Sequence, residues 1–122
     1  MKLRGEESIE TLTSANNYAN SLEDLKRFEE AKALLRRTIP VSRRVLGEGH
    51  RLTLKMRWNY ATTLYGGTLD DIREAVTTLE DAERIARRVF GGAHPTVEGM
   101  YTELEWLRAE LRARETPSPG KP

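Results

Sequence analysis

Asn17-Tyr18-Ala19 and Arg43-Arg44-Val45-Leu46-Gly47 return, in the same order, as Asn59-Tyr60-Ala61 and Arg87-Arg88-Val89-Phe90-Gly91. The first pair is offset by 42 residues and the second by 44, a period in the range where short units stack into helical solenoids. A unit of that size cannot bury its apolar face alone. It must stack on a copy of itself, and stacking leaves a long open surface suited to binding.

Working outward from the repeated strings, apolar and small residues recur at intervals of three and four, the mark of a buried helix face. Ile9, Leu12, Ala15, Ala19 and Leu22 predict a helix α1 over about 7–23. After a polar turn at Asp24-Leu25-Lys26-Arg27, the series Phe28, Ala31, Leu35, Ile39, Ser42 and Val45 predicts α2 over about 28–46, stopped by Gly47. Leu54, Trp58, Ala61 and Leu64 predict α3 over about 51–65, ended by Gly66-Gly67. Thr68 or Asp70 can cap α4, where Ile72, Ala75, Val76, Leu79, Ala82, Ala86 and Val89 run in step to about residue 90. His94-Pro95-Thr96 opens α5, over about 95–113, with Val97, Met100, Leu104, Leu107 and Leu111 on one face. Leu22 to Phe28 spans six residues but Leu64 to Ile72 spans eight, so two residues are inserted in the second turn with both helices kept in register. Pro40 falls inside the α2 pattern, where its missing N–H predicts a kink.

The expected organisation is one all-α domain over 1–114, with repeat 1 at about 7–46, repeat 2 at about 51–90, α5 as a terminal cap, and a disordered Pro-rich tail over 115–122. A charge of +1 from 20 basic and 19 acidic residues, interspersed, supplies no field that would recruit nucleic acid or an anionic membrane. Cysteine is absent, which removes disulfides and thiolate chemistry. The start has no apolar run behind its basic residues and no stretch approaches the roughly 20 apolar residues of a membrane span, so the expected setting is cytoplasmic. His50 and His94 stand alone in matching loops without partners at metal-ligand spacing, and Gly66-Gly67 and Gly91-Gly92 lack the strand and lysine of a phosphate loop. Neither a cofactor, a metal nor catalysis is expected.

The aligned residues resemble the tetratricopeptide repeat family, in its longer, roughly 42-residue variety found in kinesin light chains and related scaffolds. Thr11-Leu12 with Asn17-Tyr18-Ala19 recurs as Thr53-Leu54 with Asn59-Tyr60-Ala61. Phe28-Glu29-Glu30-Ala31 recurs as Ile72-Arg73-Glu74-Ala75, and Leu46-Gly47 with His50 as Phe90-Gly91 with His94-Pro95. The third unit departs from the pattern, with Glu103 and Leu104 where apolar and small residues stand in the others. The resemblance implies an α-solenoid of two antiparallel hairpins plus a capping helix, stacked with a right-handed superhelical sense, acting as a noncatalytic protein-interaction scaffold.

It further implies that α1, α3 and α5 line a concave groove receiving a peptide or partner helix. The candidate groove residues are Asn16 and Asn20 on α1, Lys55, Trp58, Thr62 and Tyr65 on α3, and Tyr101 and Glu105 on α5. Trp58 and Tyr101 occupy equivalent positions and read equally as ligand contacts or as packing between neighbouring helices. Cations matching a clamp for a peptide C-terminus are missing, and Asn17 and Asn59 are expected to bond between helices. Trp106 lies well off the apolar stripe of α5 at about 100° per residue, so a weak homodimer through this helix is also expected. An architectural spacer remains an alternative. An RNA-reading helical repeat is disfavoured by the near-neutral charge and the period above 40.

Overall fold

Five helices follow one another in the computed structural model, which describes residues 8–115: α1 (Ile9–Asp24), α2 (Phe28–Val45), α3 (Arg51–Thr63), α4 (Leu69–Phe90) and α5 (Pro95–Glu115). Four of the five starts have a side-chain acceptor for an orphan backbone N–H, and α2, which follows Arg27, has none. Ser8 Oγ accepts from Thr11 N at 3.0 Å, and Thr68 and Asp71 form a reciprocal capping box on α4. His50 Nδ1 accepts from Leu52 N at 3.0 Å and His94 Nδ1 from Thr96 N at 3.1 Å. Both histidines therefore close the loops in which they sit. Gly47 and Gly91 terminate α2 and α4 at φ +100° and +92°, a backbone that a side chain would strain.

The α1–α2 turn occupies residues 25–27 and the α3–α4 turn 64–68, three residues against five, so the two-residue insertion lies where the offsets located it. Each helix packs on the next, and α1 also touches α3. Ala19, Ala31, Ala61 and Ala75 are wholly buried, which lets paired helix axes approach closely. One apolar core then runs through the solenoid, from Ala19 and Leu35 through Leu54, Met56, Leu64 and Leu79 to Val97, Met100, Leu104 and Leu107. Each large side chain buried in it contributes about 1.5–3 kcal/mol.

Several expectations need correction. Ile9, Phe28 and Val89 fit the apolar periodicity yet are exposed, because they sit in the first or last turns of their helices. α3 stops at Thr63, which leaves Tyr65 in the following turn. α5 continues through Glu115, whose carboxylate accepts from Arg73 Nε at 2.9 Å, so the tail does not begin there. The remainder of the expected tail, 116–122, and the expected start of α1 at residue 7 lie outside the described residues. Pro40 sits within α2 without ending it, and the expected kink is compatible with a helix that stays continuous from Phe28 to Val45.

Candidate functional site

Between α1 and α3 lies a cleft of about 350 Å³, walled by Asn16, Asn17, Asn20, Lys55, Trp58, Asn59 and Thr62, with Glu103 reaching in from α5. It exists because α1 and α3 present the same helical flank side by side, and small polar residues on α1 leave room beside the larger ones of α3. Asn59 Nδ2 donates to Asn16 Oδ1 at 2.7 Å and ties the two helices together. Asn16 is thereby buried and acts as a stacking residue as well as part of the wall. Asn17, expected to make that bond, is instead exposed at the cleft. Asn20 and Lys55 are also exposed there, with no hydrogen-bond or ion-pair partner among the described residues.

Trp58 packs between neighbouring helices, one of the two readings that its position allowed. Its ring lies against the α5 backbone at Gly99, where a Cβ would come within 2.7 Å of the indole, while its Nε1 donates to Glu103 Oε2 at 2.8 Å. Tyr65 Oη donates to the same carboxylate oxygen. Burial, then the bond to Glu103, pushes the Tyr65 hydroxyl pKa well above its usual value. Glu23, at the end of α1, is pushed up to about 7 by burial first, then by the nearby charges of Asp24 and Glu103. Its Oε2 is buried with no hydrogen-bond partner among the described residues.

The other sequence candidates do not converge on this cleft. Tyr65 borders a separate cavity with Phe28, Gly66, Gly67 and Asp71. Tyr101 is exposed outside the cleft, and Glu105 pairs with Arg108 at 2.8 Å. Trp106 is 52% exposed and rests its ring on Tyr65 at 5.5 Å between centroids. Glu103 was absent from the sequence candidates, although a charged residue in an otherwise apolar repeat position was its signal. What the cleft offers chemically is amide donors and acceptors, one ammonium, one hydroxyl, the Glu103 carboxylate and an aromatic edge, a set suited to recognition.

No helix among the described residues is long and apolar enough to cross a membrane. No curated protein matches the chain. A family model described as Tetratricopeptide repeat matches residues 10–88, covering both helical hairpins apart from their outermost residues. The two stacked hairpins and that match agree: the chain belongs to the tetratricopeptide repeat family, whose repeats generally serve as noncatalytic modules for protein–protein interaction.

Proposed function

We propose that the chain is a cytoplasmic, kinesin-light-chain-like scaffold that receives an extended peptide or partner helix in the α1–α3 cleft, across Asn16, Asn20, Lys55, Trp58 and Thr62. The proposed contact surface continues over Tyr65, Tyr101 and Glu105. The observation that carries this reading is the pair Asn20 and Lys55, exposed on opposite helices of one cleft and free to bond a ligand. Amide side chains pair readily with a peptide backbone, and Trp58 adds a rigid aromatic edge.

Peptides selected from a displayed library against the purified chain test the reading. The double substitution Asn20→Ala and Lys55→Ala is expected to weaken a selected peptide by about tenfold while leaving the helical content unchanged. Equal binding by both proteins would remove the groove assignment. Trp58→Ala discriminates less well, because it removes packing against Gly99 together with any ligand contact.

A second reading is favoured by Trp106, half of which is open to solvent after its contact with Tyr65. We propose that it supports weak self-association through α5. Sedimentation showing only monomer at high concentration would remove this reading.

A further inference from the structure

We propose that the domain carries a second binding site, in which a cleft between α2 and α4 receives the carboxylates of an acidic partner segment. The cleft holds about 220 Å³. Arg36 and Arg43 of α2 line it with Arg57 and Tyr60 of α3 and Glu74 and Thr78 of α4. Three guanidinium groups line it with one carboxylate, Glu74, and two further acids, Glu48 and Asp81, pair with Arg43 and Arg57 from beside it.

Arg57 is the strongest element. Its side chain is only 9% exposed, and NH2 donates to Asp81 Oδ2 at 2.7 Å. Its NH1 is buried and makes no hydrogen bond; the ion-paired Glu48 Oε1 lies 3.5 Å away. A buried charged donor left in this state is costly, and a second carboxylate oxygen would relieve it. Arg36 is similarly underused: its Nε donates to Tyr60 Oη at 2.7 Å, but its contact with Glu74 Oε1 is stretched to 3.4 Å.

Glu48 indicates which ligand fits. It stands between Gly47 and Gly49 in the α2–α3 loop, and its Oε2 accepts from Arg43 Nε at 2.9 Å and NH2 at 2.6 Å while Oε1 approaches Arg57. A single half-exposed carboxylate therefore bridges two arginines from different helices, as an intramolecular stand-in for a partner's side chain. The second repeat has no such device. Gly92 replaces Glu48, and Arg87, the counterpart of Arg43, pairs with Glu83 within its own helix. An acidic segment that displaces Glu48 gains Arg43 and Arg57 and reaches Arg36 and the Thr78 hydroxyl.

The test is a titration of the full chain with a short, end-blocked polyglutamate peptide, followed by the backbone and arginine Nε–H resonances. Signals of Arg43, Arg57 and Thr78 are expected to shift. Glu48→Gln should bind about threefold or more tightly, and Arg43→Gln should lose the response. Glu10→Gln removes the same charge from an exposed position on α1 and controls for general electrostatics. A peptide response absent from these resonances, or Glu48→Gln binding no more tightly than Glu10→Gln, would overturn the proposal. A response to inorganic phosphate without one to the peptide would overturn it equally.

Discussion

Glu103 accepts the indole of Trp58 and the phenol of Tyr65 on one oxygen, so one side chain of α5 holds two aromatics of α3 and its following turn. Gly99 makes that approach possible. In Gly99→Ala the new methyl would meet the indole at 2.7 and 3.2 Å, an overpacking cost of about 1–3 kcal/mol set against about 1 kcal/mol gained in helix propensity. We expect a net loss of about 1 kcal/mol by denaturant unfolding; a gain in stability would mean that Trp58 packs elsewhere. Glu23 supplies a pH test. A carboxyl whose folded pKa is raised from 4.5 to about 7 costs nothing below 4.5, and the fold then loses stability as pH rises to 7. The melting temperature of Glu23→Gln should match wild type below pH 4.5 and exceed it above pH 7, and a gap of equal size in both ranges would contradict this account. Trp58 was legible from its place in the repeat. The choice of Asn16 over Asn17 as the inter-helix bond was not, because adjacent positions lie about 100° apart and the crossing of α1 and α3 decides which one meets Asn59.

The repeated strings contain the elements almost completely, since periodicity, stop glycines and capping residues all act within a turn or two of the chain. Thr68 illustrates this, with its side chain accepting from Asp71 N and its own N–H donating to Asp71 Oδ2 at 3.0 Å. Thr68→Ala should destabilise the protein by about 1 kcal/mol, seen as a lowered denaturation midpoint with an unchanged slope. No change in midpoint would show that the box adds nothing to α4. Helix ends were harder to read. Tyr65 continues the α3 pattern by spacing, but the chain has already left the helix at Thr63, and Phe28 and Val89 keep the apolar period yet stay exposed.

At the scale of the molecule, each hairpin covers its neighbour, and differences between equivalent positions record what covers each face. Met56 is wholly buried in the second repeat where Ser14 is exposed in the first, a contrast that the aligned sequences already contain. On α5, Val97, Met100, Leu104 and Leu107 are buried, while Tyr101 and Trp106 stay exposed. The solenoid was therefore legible from sequence. The cleft was legible only in part, because Glu103 enters it from a helix where the repeat pattern has lapsed. The Trp58 indole N–H bonds Glu103 at the edge of the proposed groove and tests the central claim most directly. In a titration of the chain with a library-selected peptide, its resonance should shift together with the side-chain amide of Asn20 and the backbone amides of Lys55 and Thr62. Shifts confined to α2 and α4, with the Trp58 indole unmoved, would contradict the assignment of the groove to α1 and α3.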